Sequence, residues 1–170
     1  ALDDFDGVTA VDPYPVVDMA GGGGTFPENL PYPNGVADAS QDDFAVRVET
    51  DAVIPAGEWS IGFGSDDGGQ LTISGVEFTD FQNNDSLDDD QQIRFEMNRG
   101  HGWTTGVFTV DEDLETQIVA SMHERGGGDS FEVAIIEGES VLDDPAAFPD
   151  DWELLADGTL GWEITHTGRE

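Results

Sequence analysis

Cysteine is absent from this chain, and so is lysine. The first absence rules out a disulfide framework and any thiolate metal site. The second leaves five arginines as the only permanently cationic side chains, against 38 acidic residues and a formal net charge of −33. With no basic patch to neutralise phosphates, nucleic acid is excluded as an expected partner, and so is an anionic membrane surface. No apolar run approaches the ~20 residues that cross a bilayer, so no membrane insertion is expected. Catalytic signatures are missing too. There is no GxSxG elbow, P-loop or Cys nucleophile, and His101, His123 and His166 do not have zinc-ligand spacing. Pairs of carboxylates that suit glycoside hydrolysis arise by chance among so many acids, and no enzyme activity is expected.

The acids themselves carry information. Carboxylates at this density repel one another in dilute buffer, whereas at ~1 M salt the Debye length falls to roughly 3 Å and screens them. A strongly acidic, lysine-free surface reads as adaptation to brine, with an acidic marine or calcium-rich extracellular protein as the plainer reading. The chain opens at Ala1 rather than Met, which suggests a removed export signal, so an extracellular or cell-surface location is expected.

Residues 1–40 differ from the rest. Pro13, Pro15, Pro27, Pro31 and Pro33, the run Gly21 to Gly24 and the pair Asn34-Gly35 argue against regular helix. This region is read as an extended arm, as edge strands or as a linker, and 41–170 as the folded domain. From Phe44 onward the pattern has period two, the mark of half-buried strands. Phe44, Val46 and Val48 alternate, as do Trp59, Ile61 and Phe63, then Ile93, Phe95 and Met97, and later Phe131, Val133 and Ile135. Leu114, Ile118 and Met122 are spaced by four, but the β-branched Thr116, Ile118 and Val119 favour strand over 115–123. A closing hairpin across Asp157-Gly158 joins 152–155 to 160–164, and a single helical turn is expected near Pro145 to Phe148. Eight to ten short strands indicate an all-β fold, an antiparallel sandwich or jelly roll.

The most informative segment is GEWSIGFGSDDGGQLTISG, Gly57 to Gly75. Adjacent carboxylates at Asp66 and Asp67 put hard oxygens in a small volume, as Ca²⁺ requires, and the glycines behind them let the backbone fold back. The same letters also make an ordinary turn. The acid-rich loop from Asp85 through Asp88, Asp89 and Asp90 lacks the glycine and terminal Glu of an EF-hand, and reads as a solvated loop. Asp111 to Asp113 and Asp143-Asp144 read the same way.

Alternating strand, SDDGG, second strand and a glycine at Gly75, followed later by HERGGGDSFEVAI, together resemble the protective-antigen-type (PA-fourteen) β-sandwich domain of bacterial surface proteins and yeast flocculin adhesins. The resemblance covers roughly residues 42–138. In sugar-binding members two consecutive aspartates, joined by a cis peptide, hold a Ca²⁺ that also ligates sugar hydroxyls, and a later loop completes the shell. It therefore implies that Asp66 and Asp67 bind Ca²⁺ with help from 123–129. The Asn ligand of the adhesins has no evident counterpart there, and Glu124 or Asp129 stand in as oxygen donors. A sugar would also need a ring to stack on, for which Trp103 is the candidate because the glycines around it suggest an exposed turn, although core or rim packing is the favoured reading of that ring. His123 and Arg125 are placed beside it, with Arg125 either on sugar hydroxyls or tied into local acids. The expected function is a calcium-assisted, glycan-binding adhesive module. A structural subunit of an extracellular filament, joined to copies of itself through the N-terminal arm, is the alternative.

Overall fold

The computed structural model describes residues 13–21, 23–33, 42–85, 89–140 and 151–165. The turns expected at Asn34-Gly35 and 145–148, the acids Asp88, Asp143 and Asp144, His166 and most of the outer part of 1–40 lie outside these. Two antiparallel sheets pack face to face. Sheet A runs β1 (Asp18–Ala20), β9 (Ser130–Glu137), β3 (Gly57–Asp66), β7 (Gly102–Val110) and β5 (Thr79–Gln82), and β10 (Glu153–Leu154) also pairs with β9. Sheet B runs β11 (Glu163–Thr165), β2 (Phe44–Ile54), β8 (Leu114–Glu124), β4 (Gly69–Ile73) and β6 (Gln92–Phe95). The chain is thus an all-β sandwich, as its alternation predicts.

Side chains that alternate along each strand meet between the sheets. Ile61, Phe63, Phe131 and Val133 from sheet A face Leu71, Ile118, Ala120 and Met122 from sheet B in one core. The long β2–β8 pairing, from Phe44 opposite Glu124 to Ile54 opposite Leu114, places every second residue of both strands on that core. Leu114, Ile118 and Met122 are even-numbered neighbours on one face of a strand, so a spacing of four serves period two equally well.

Two local expectations are corrected. Gly102 and Trp103 begin β7 and do not form an exposed turn. Residues 152–165 do not form a hairpin either: β10 pairs with β9 in sheet A and β11 with β2 in sheet B. A 3-10 turn at Thr159–Gly161 carries the chain between them. Trp162 explains the crossing. It is fully buried, with Trp59 and Phe108 edge-on to its ring at 5.4 and 6.2 Å, so the chain must pass over the end of the sandwich to seat it.

The N-terminal region meets the sandwich at sheet A. β1 lies antiparallel against β9, and Met19 and Tyr32 enter the main core. A strand donated to a neighbour would require this segment to leave its own sheet.

Candidate metal centre

β3 ends at Asp66 in sheet A and β4 begins at Gly69 in sheet B, so the SDDGG turn bridges the two sheets at one end of the sandwich. The Asp66–Asp67 peptide is cis. Backbone bonds fasten the turn to β8: the Asp67 N–H donates to the His123 carbonyl at 3.1 Å, and the His123 N–H to the Gly68 carbonyl at 3.0 Å. The Ser65 hydroxyl donates to the Asp67 carbonyl at 2.8 Å. The glycines are required by crowding. A Cβ on Gly68 would sit 2.4 Å from the Phe95 carbonyl oxygen, and one on Gly69 would sit 2.6 Å from that of Ser121.

The same packing aims the carboxylates. Asp67 is held at both oxygens, Oδ1 by the Arg99 N–H at 2.9 Å and Oδ2 by the Arg125 N–H at 3.0 Å. Glu124 closes β8 in register with Ile118, Ala120 and Met122, so an acid occupies the last core-facing position of an apolar strand. Both its carboxylate oxygens are buried, and neither makes a well-formed hydrogen bond among the described residues, although the Gly126 N–H approaches them. One carboxylate oxygen from each of Asp66, Asp67 and Glu124 lies within 4.8 Å of the others.

Three acids this close cannot all stay charged and dry without compensation. Burial pushes Glu124 up to about 7, Asp67 pushes in the same direction, and the Gly126 N–H partly opposes them. Burial and then Asp67 push Asp66 up to about 6, with His101 and Arg99 pulling down and Asp129 adding to the rise. Near neutral pH the cluster calls for a proton or a cation. Hard carboxylate oxygens, those of Asp67 held in place by backbone amides, are the donor set of Ca²⁺, and Glu124 offers two buried oxygens with no well-formed hydrogen bond among the described residues.

Of the residues singled out in the sequence, the structure brings Asp66, Asp67 and Glu124 together. Asp129 is fully buried and lies outside that trio, close enough to raise both Asp66 and Glu124. His123 and Arg125 contribute backbone groups, while the Arg125 side chain is exposed beside the turn. Trp103 takes the packed position favoured for it, and its candidacy as a stacking ring is corrected. Its ring is fully buried on the outer side of sheet A among Ala134 and Trp152, with Phe26 edge-on at 6.1 Å and its Nε1–H donating to Thr25, so no face is open for a sugar. Asp85 and Asp89 are occupied locally: the Asp85 carboxylate accepts from the Glu96 N–H, and Asp89 accepts from the Gln91 N–H.

Two contributors escaped the sequence reading. Arg99 grips the far side of the turn: its guanidinium bonds Ser65 and Thr104 and lies over the Phe95 ring at 4.1 Å. Burial lowers its pKa to about 10, against the pull of Asp85 and Asp66. The scarcity of arginine among so many acids was the one signal that could have marked it. Tyr32 is buried with its hydroxyl kept neutral, first by burial and then by Asp129, Glu124, Asp66 and Glu132. Nothing local in the sequence marks that position. A surface concavity of about 700 Å³ lies at the far end of β4, lined by Thr72, Ser74, Glu77, Gln91 and Thr109, and shares no residue with the carboxylate cluster.

With that geometry established, comparison with known proteins adds the following. The sequence matches no protein-family model and no curated protein. The structure is similar to two solved PA14 domains. One is the PA14 sugar-binding domain of an RTX adhesin, with TM-score 0.46 and 16% identity over 71% of this chain and 55% of that one. The other is the PA14 domain of the antifreeze protein MpAFP, with TM-score 0.42 and 18% identity over 58% of this chain and 46% of that one. The chain spans about half the length of these solved chains.

Proposed function

We propose that this chain is a calcium-assisted, carbohydrate-binding module of an adhesive cell-surface protein that works in salty water. The observation that carries the metal half is the buried trio. Asp67 is held by two backbone amides, Asp66 adjoins it, and Glu124 presents two buried oxygens approached only by the Gly126 N–H among the described residues. Asp66, Asp67 and Glu124 would hold the ion, which would neutralise the cluster and fasten sheet A to sheet B at this rim.

The sugar half rests on the resemblance of the SDDGG and HERGGG segments to sugar-binding domains, and on the position of the cluster at an exposed rim. Gly126 to Gly128 and the Arg125 side chain are solvent-exposed beside it, so sugar hydroxyls could complete the shell from that side. The brine setting rests on the net charge of −33.

A thermal melt in roughly molar salt, with calcium and then with chelator, tests the metal. An ion at a hundredfold excess over its dissociation constant should stabilise the wild type by about 2.7 kcal/mol, and Asp66→Asn should abolish that gain. A wild-type melt that ignores calcium would remove the metal and with it the proposed mode of sugar binding. A glycan array run in calcium then tests the ligand, and a blank array would leave a calcium-stabilised structural module.

A further inference from the structure

The outer face of sheet A buries a second group of acids that the Asp66 centre does not use. Asp18 on β1 and Glu132 on β9 are directly opposed across the sheet, and both are fully buried. Residues 24–29 fold over them, and each carboxylate is held by backbone amides at one oxygen. Glu132 Oε1 accepts the N–H groups of Thr25 and Phe26 at 2.7 and 2.8 Å, and Asp18 Oδ2 accepts that of Glu28 at 2.8 Å. The remaining oxygens, Asp18 Oδ1 and Glu132 Oε2, are buried with no well-formed hydrogen bond among the described residues, and so is Oδ1 of Asn29. The Asp18 and Glu132 carboxyls lie close enough to share a proton, and the Asn29 N–H stands near Asp18. His101 Nε2 lies 3.3 Å from Glu132 Oε2. Gly24, at φ +107°, borders the same space. A Cβ there would stand 2.7 Å from Glu132 Oε1 and 3.8 Å from Asn29 Oδ1.

We propose that Asp18, Glu132 and Asn29 form a second divalent-cation site, for calcium by its donor chemistry, which fastens residues 24–29 to sheet A. Two carboxylates and an amide carbonyl are hard oxygen donors, and the backbone amides fix both carboxylates before any ion arrives. A proton shared between Asp18 and Glu132 would satisfy those two acids but leave Asn29 Oδ1 bare, whereas a cation ligated by all three would satisfy each. Burial, and then the neighbouring Glu132, push Asp18 up to about 6. His101 pairs with Glu132 and also acts on Asp66. The site draws on β1, β9 and the 24–29 segment, and does not depend on the Asp66 reading.

Calcium stoichiometry of the full chain, measured by equilibrium dialysis in roughly molar sodium chloride to screen diffuse binding to surface acids, tests it. The wild type should bind two ions tightly. Asp18→Asn with Glu132→Gln should lose one, Asp66→Asn with Asp67→Asn should lose the other, and the fourfold variant should bind none. Circular dichroism checks that each variant folds. An unchanged ion count after Asp18→Asn with Glu132→Gln overturns the second site, whatever the Asp66 centre does. A single wild-type ion that disappears only with Asp18 and Glu132 would uphold it and fell the Asp66 centre instead. Asn29→Ala tests the third ligand. It should weaken binding of the second ion at least tenfold if Asn29 ligates through oxygen, and an unchanged affinity overturns the three-ligand site.

Discussion

Sheets A and B are built from similar strands but treat their outer faces differently. On sheet B the outer face is wet. Along β2, Ala45, Arg47 and Glu49 are exposed between inward-facing Phe44, Val46 and Val48, and the alternation is clear. On sheet A, β3 is buried from Trp59 to Ser65 on both faces, and β9 from Ser130 to Ile135. Phe26 and Trp152 close over Trp103 and Ala134, and residues 24–29 close over Asp18 and Glu132. The contrast shows where this acidic chain keeps its unusual acids. Most carboxylates of the described residues face solvent, where salt screens them, while those buried on the covered sheet and at the sheet-to-sheet rim require a specific partner.

Breaking the cover on sheet A should give the largest effect. Trp103→Ala removes a fully buried ring and its bond to Thr25, and should cost about 3–5 kcal/mol in a urea melt in high salt. A loss below about 1 kcal/mol, typical of a surface position, would mean that the outer face is not a true core. The pH response sharpens the comparison at an intermediate scale. Asp66 and Asp18 are raised to about 6 and Glu124 to about 7, all above their ordinary values near 4. The folded state therefore binds protons more readily than the unfolded chain. In chelator, the stability these groups provide is full below about pH 4 and is lost as pH rises through 6 and 7. Melting temperature should fall across that window in high salt, and Glu124→Gln should flatten the upper part of the fall. A melting temperature that rises across the window in chelator would contradict the buried-acid picture. The smallest effect belongs to the wet face of sheet B. Arg47 and Glu49 pair at 2.8 Å while both are partly exposed, and Arg47→Ala should cost no more than about 1 kcal/mol. A larger loss would show that the outer face of sheet B is more than a solvated surface.

The half-buried strands were legible because one dry face and one wet face impose period two, and β2 displays it residue by residue. β7 was less legible, because a strand buried on both faces loses that alternation. Trp103 after a glycine-rich stretch therefore passed for an exposed turn. The 152–165 segment misled for another reason: Asp157-Gly158 is a good turn signal, but a turn does not specify which sheet each flank joins. At the site, the adjacent Asp66 and Asp67 marked themselves, and Glu124 entered through the later HERGGG loop. Arg99 and Tyr32 are brought in from β6–β7 and from the N-terminal segment, and their separation along the chain hid them.

The amino-acid sequence alone determined that this chain is all-β and strongly acidic, with neither cysteine nor lysine, and that two adjacent aspartates stand on a glycine-backed turn. Those properties follow from residue type and local periodicity. Tertiary structure decided which acids meet. Asp66, Asp67 and Glu124 converge because the β3–β4 turn crosses from one sheet to the other beside the end of β8. Asp18 and Glu132 face each other because β1 pairs with β9. Distances between residues far apart in sequence depend on strand order and register, which the packing of the whole core selects.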